Sequence, residues 1–125
     1  MFGPSAGLTL PNGAVRAPDA SWIRFERLDA LTKKQQDVFA PIVPDFVVEL
    51  CSPSDSRAET RAKMAEYIEQ GVRLGWLIDP KTKEVEIYRQ GRAVEILSSP
   101  QSLSGEDVLP GFLFDPAEIF KDRQP

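Results

Sequence analysis

The chain of 125 residues has no histidine and one cysteine, Cys51. The first absence removes Ser-His-Asp and Cys-His nucleophilic catalysis together with every histidine-dependent nuclease chemistry. The second leaves no zinc cage and no internal disulfide, and a lone thiol fits the reducing cytoplasm. Long apolar runs are missing too: a stretch such as Phe46 to Leu50 falls far short of the roughly 20 residues that span a bilayer, and the N-terminus lacks the charged and apolar regions of an export signal. The expectation is a soluble cytoplasmic protein without a membrane partner, whose chemistry rests on carboxylates, lysines, hydroxyls and one thiol.

What is present suffices for a single domain over residues 1–125. A chain of this length buries roughly two-thirds of the surface it exposes when unfolded, enough for a core without disulfides or a structural metal. The 15 Lys and Arg against 19 Asp and Glu give a net charge of -4, which speaks against a dedicated polyanion-coating protein. The acidity is uneven. Residues 1–83 carry eleven basic and eleven acidic side chains, whereas residues 84–125 carry four and eight. Arg24, Arg27, Lys33, Lys34, Arg57, Arg61 and Lys63 are thus available for a nucleic-acid face, or serve as ordinary solvated charge.

Leu8 to Leu10 and Ala14 to Arg16 flank Pro11-Asn12-Gly13, and Asn-Gly suits a tight hairpin turn. Ser21 to Phe25 reads as strand, and Thr32 with Gln35 has capping-box spacing for a short helix over Lys33 to Phe39. Asp45 to Cys51 is the most strand-like run; alternation puts Phe46, Val48 and Leu50 on one face, and Asp45, Val47, Glu49 and Cys51 on the other. Ser56 to Gln70 reads as a helix with Met64, Tyr67 and Ile68 as its apolar stripe and Gly71 at its C-terminal end. Val72 to Ile78 is a strand, and Glu84 to Tyr88 with Ala93 to Leu97 form a hairpin about Gln90-Gly91. In the tail, Phe112, Leu113, Phe114, Ile119 and Phe120 are available to dock on the sheet. The fold class is mixed α/β.

Without histidine, the sharpest constellation is Asp19, after Pro18, with Glu49 on the central strand and a lysine nearby. Mg²⁺ takes hard oxygen ligands, usually one or two carboxylates plus waters and substrate phosphate, so two strands each presenting a carboxylate to one point make a suitable site. A lysine beside them can orient the attacking water and neutralise charge growing on the phosphate.

At these positions the sequence resembles the PD-(D/E)XK nuclease superfamily, and more closely its Uma-type restriction endonuclease family. The matching stretches are LPNGAVRAPDASW around Asp19, PDFVVELCSPSDS around Glu49, KMAEYIEQG in the helix, GWLIDP ending at Asp79, and SGEDVLPGF near the C-terminus; they keep order and spacing over nearly the whole chain. The resemblance implies a restriction-endonuclease-like central β-sheet flanked by helices. It also implies a Mg²⁺-dependent endonuclease hydrolysing phosphodiester bonds of DNA, with Mn²⁺ able to replace Mg²⁺ and with Asp19 and Glu49 as metal ligands. Two departures stand out. The superfamily's lysine falls two residues after the second acid, where this chain has Cys51; a lysine of the following helix can substitute, and Lys63 is the matching residue. Members also usually carry a helix and leading strands before the LPNG hairpin. Their lack implies an uncovered edge at Leu8 to Leu10, and with it pairing of two copies as a homodimer.

Each residue has an ordinary reading as well. Asp19 after a proline can be a turn residue, Glu49 can face solvent from an edge strand, and Lys63 can pair with Glu59 at i,i+4. Cys51 reads as a small packed residue, Asp45 and Asp79 as structural, and Trp22 and Trp76 as core. The rival functional reading is a nuclease-like domain without catalysis, retained as an interaction or vestigial module.

Overall fold

The computed structural model describes residues 8–12, 15–16, 19–22 and 43–122. Among these the strands are β1 (Leu8–Thr9), β2 (Val15–Arg16), β3 (Ala20–Trp22), β4 (Phe46–Leu50), β5 (Leu74–Asp79), β6 (Glu84–Arg89), β7 (Glu95–Ser98), β8 (Leu103–Ser104) and β9 (Leu113–Phe114); the helices are α1 (Arg57–Glu69) and α2 (Ala117–Asp122). The helix expected over Lys33 to Phe39 lies outside the described residues, as do Ile23 to Phe25.

Five strands form one sheet in the order β3-β4-β5-β6-β7. β4 and β5 run parallel, which requires a crossover, and α1 is that crossover. The remaining neighbours are antiparallel. β5, with sequence LGWLID, is buried along its whole length, as a central strand covered on both faces must be. It starts at Leu74 rather than Val72, because the Val72 N–H still donates to the Tyr67 carbonyl of α1 and the Arg73 and Leu74 N–H groups donate to the Asp45 carbonyl.

The two faces of β4 lead to two apolar clusters. Phe46 joins Leu74, Trp76, Ile78, Val85 and Ile87 under the C-terminal segment, which contributes Leu103, Val108 and Phe120. On the opposite face Val47 and Cys51 pack with Leu77, Tyr88 and the α1 side chains Met64 and Tyr67. The helix stays close to the sheet because Gly75 has no side chain: a Cβ there would lie 2.6 Å from Met64 Cε. α1 begins at Ser56, whose Oγ accepts from the Glu59 N–H at 3.0 Å, and ends before Gly71, whose φ of +114° a residue with a Cβ rarely adopts.

Docking of the tail is only partly as expected. Phe120, Phe114 and Ile119 reach the core, and Phe112 lies near-parallel to Trp76 at 6.3 Å, but Leu113 is 69% exposed. The reason is the two-residue β8–β9 pairing, which turns Phe114 inward and its neighbour Leu113 outward. Among the described residues no helix is long and apolar enough to cross a membrane.

Candidate active site

The first carboxylate enters by register. β3 pairs with β4 through Ala20↔Val48, Ser21↔Val47 and Trp22↔Phe46, and one further step along the same ladder brings Asp19 opposite Glu49. The Asp19 Oδ2 accepts the Leu50 N–H at 2.6 Å, a charge-assisted bond that fixes the carboxylate against β4 at the end of the short β3 strand. Asp19 is exposed, whereas Glu49 is 6% exposed. The edge-strand reading of Glu49 therefore fails, since β4 lies between β3 and β5 and α1 covers this face.

Burial pushes the Glu49 carboxyl up to about 7. A hydrogen bond from the Tyr67 hydroxyl to Glu49 Oε1, at 2.9 Å, opposes that rise. The Asp19 carboxyl lies within hydrogen-bonding reach and adds negative charge, which raises Glu49 further, while the charge of Lys63 pulls it down. Two carboxyl groups in contact, one of them buried, stabilise a shared proton or a shared cation. Among the described residues no group of three or more acidic, cysteine or histidine side chains is placed to hold a metal. A pair of hard oxygen donors is nevertheless within the usual protein contribution to a Mg²⁺ site.

Lys63 stands on α1 one turn before Tyr67; its side chain is exposed, and its charge is felt at Glu49. The position two residues beyond Glu49 holds Cys51, buried between β4 and α1; burial pushes its thiol up and a hydrogen bond with Thr60 opposes that. No cation is supplied there. Tyr67 was legible only as part of an apolar stripe, because a phenol reads the same whether its hydroxyl meets water or a carboxylate.

Arg57 and Arg61 are not free for a nucleic-acid face. Both converge on Glu86, which is 1% exposed and pairs across the sheet with Leu77, itself opposite Glu49. Arg57 also reaches Glu84 at 2.7 Å and Asp79 at 3.4 Å. Tyr88 donates to Glu86 at 2.7 Å. The cluster clamps the first turns of α1 to β6, and so positions Lys63 and Tyr67 further along the helix. Behind the sheet, Asp19 also borders an apolar cavity of about 570 Å³ walled by Trp22, Phe46, Trp76, Phe112 and Phe114.

The Uma2 family, described as "Putative restriction endonuclease", matches residues 1–117. The chain belongs to the Uma2 family. The fold of this Uma2 chain is similar to that of a "putative nuclease belonging to DUF820" from Anabaena variabilis, with a TM-score of 0.80 and 22% identity over 96% of this chain. The Uma2 chain spans 66% of that protein's length. No curated protein matches it. The mixed α/β, restriction-endonuclease-like sheet implied by the sequence resemblance is thus the fold of the chain.

Proposed function

We propose that this chain is a Mg²⁺-dependent endodeoxyribonuclease of the cytoplasm, with Asp19 and Glu49 as the metal ligands and Lys63 beside the attacking water. The observation that carries the reading is the β3–β4 register that sets Asp19 opposite Glu49, with the Asp19 carboxylate held by the Leu50 N–H and Glu49 buried beside it. Membership of a family described as restriction endonuclease supports DNA as the substrate. A bound Mg²⁺ would supply Lewis-acid stabilisation of charge on the phosphate and an acidified water. The residues divide the remaining work. Leu50 N–H holds the Asp19 carboxylate in one orientation, Tyr67 holds that of Glu49, and the exposed Lys63, whose charge acts on Glu49, is assigned to offset negative charge developing on the phosphate.

The specific rival is a domain that keeps the carboxylate pair without catalysis, and Cys51 at the usual lysine position favours it. One experiment separates the two. Mn²⁺ should raise the melting temperature of the parent protein, and neither Asp19→Ala nor Glu49→Ala should respond. Plasmid nicking should require the same carboxylates and fall with Lys63→Ala. A metal-dependent thermal shift without nicking makes the domain non-catalytic, and Asp19→Ala nicking at the parent rate overturns the site. Pairing of two copies as a homodimer, expected from an uncovered edge at Leu8 to Leu10, is part of the same reading; there β1 pairs with β2 and Leu10 is buried, so the pairing is assigned instead to the edge strand β7, where Val94 and Ile96 are exposed.

A further inference from the structure

A second cavity, of about 640 Å³, opens where β4 and β5 end. It begins at Cys51, two residues beyond Glu49, where the Cys51 N–H donates to the Ile78 carbonyl at 2.9 Å. Its walls include Arg57, Asp55 and Asp79, and the β5–β6 turn closes it with Lys81 and Lys83. Three cations and two anions leave this lining positive by one charge. Arg57 is already paired with Asp79, Glu84 and Glu86, whereas neither Lys81 nor Lys83 takes part in an ion pair among the described residues. The two ammonium groups are the unspent charge of the cavity.

The turn itself is strained. Lys83 has φ +60°, the left-handed conformation that glycine adopts freely and a long side chain does not. It is pinned there from both sides, its N–H donating to the Asp79 carbonyl at 2.8 Å and its carbonyl accepting from the Ser99 N–H at 2.7 Å. Asp79 Oδ1 accepts the Lys81 N–H at 3.0 Å, so the backbone carrying both lysines is fixed to the end of β5. The strained backbone thus lies at a turn beside a polar cavity and next to the strand that carries Glu49.

We infer that the Lys81-Thr82-Lys83 turn is a phosphate-binding element that grips the DNA backbone beside the phosphate held at the carboxylate pair. The inference rests on the nuclease reading above. Neither lysine touches the reacting group; their part is to fix the strand's register through point-charge contacts, which carry no sequence information.

The test is salt-dependent binding of a fluorescent DNA duplex by the full chain without divalent metal, measured by anisotropy, alongside thermal melting. The Lys81→Ala/Lys83→Ala double variant should lower the slope of log K against log salt by about 1.8, since each phosphate left without its lysine accounts for about 0.9. Lys83→Gly should bind more weakly than the parent while melting at a higher temperature, because it removes a charge and relieves the left-handed strain together. Weaker binding with unchanged or higher melting supports the turn as a DNA-binding element. A parent that binds and nicks DNA while both variants keep its salt slope overturns this inference and leaves the nuclease reading standing. A parent that neither binds nor nicks DNA overturns both.

Discussion

Replacing Glu86 by glutamine tests whether its arginine cluster holds α1 to the sheet. The substitution keeps the shape of a side chain that is 1% exposed and removes its charge. Burial alone would raise the Glu86 carboxyl, yet hydrogen bonds from Arg61, Tyr88 and Arg57 outweigh it and hold the group at about 2, against an ordinary value of 4.5. A shift of that size corresponds to about 3 kcal/mol of native-state preference for the ionised form. Arg61 is 49% exposed, so solvent screens part of the cluster and about 2 kcal/mol is the expected loss. For a domain of this size that lowers the melting temperature by about 6–8 °C at neutral pH. The pH dependence makes the argument specific. Because the folded value is depressed, this stabilisation is complete above about pH 4.5 and disappears as pH falls toward about 2. Urea unfolding of parent and Glu86→Gln across this range should show a gap that is full at neutral pH and closes in acid. A gap of constant size, or no gap at neutral pH, would mean that the charge of Glu86 does not hold α1 to the sheet.

Further outcomes are expected elsewhere in the molecule. Glu49, raised to about 7, has the opposite sign: the metal-free protein should lose stability as pH climbs from about 4.5 through about 7, and Glu49→Gln should flatten that decline in a melting-temperature profile. Tyr67→Phe removes a donor that lowers Glu49, so the same decline should move to higher pH. Gly75→Ala sets a Cβ 2.6 Å from the flexible end of Met64 and 3.3 Å from Val47 Cγ2; overpacking of about 1 kcal/mol should lower the melting temperature by a few degrees. Ile96→Lys places a charge on the exposed edge strand β7, and if two copies pair there, sedimentation should show a monomer for the variant only.

The sequence resolves local periodicity well and long-range polar contacts poorly. The two faces of β4 follow directly from the alternation in DFVVELC, and α1 falls one residue inside each expected end. The neighbourhood of Asp19 and Glu49 came from family resemblance, since two acids 30 residues apart carry no local signal of contact. Glu86 escaped because an acid in an alternating strand reads as a solvent-facing residue; its arginine partners lie 25 and 29 residues earlier, on another element. Arg57 and Arg61 were open to a role in binding nucleic acid for the same reason: charge is visible in a sequence and its neutralisation is not. Leu113 failed differently. A cluster of apolar residues in a tail suggests docking as a block, but a two-residue strand must point adjacent side chains to opposite sides.

Cys51 gives the molecule an internal reporter of its own breathing. It is the chain's one thiol, it is buried where β4 meets α1, and burial holds its pKa above the ordinary value. A disulfide reagent needs both access and a thiolate, and Cys51 is covered by α1 on one side and borders the cavity at the end of β4 on the other, so modification reports loosening around that strand end. The labelling rate, compared with that of the unfolded chain, therefore measures how strongly the folded state protects this end of β4. Because Cys51 lies two residues beyond Glu49, the thiol reports on the strand end next to the carboxylate without any engineered probe.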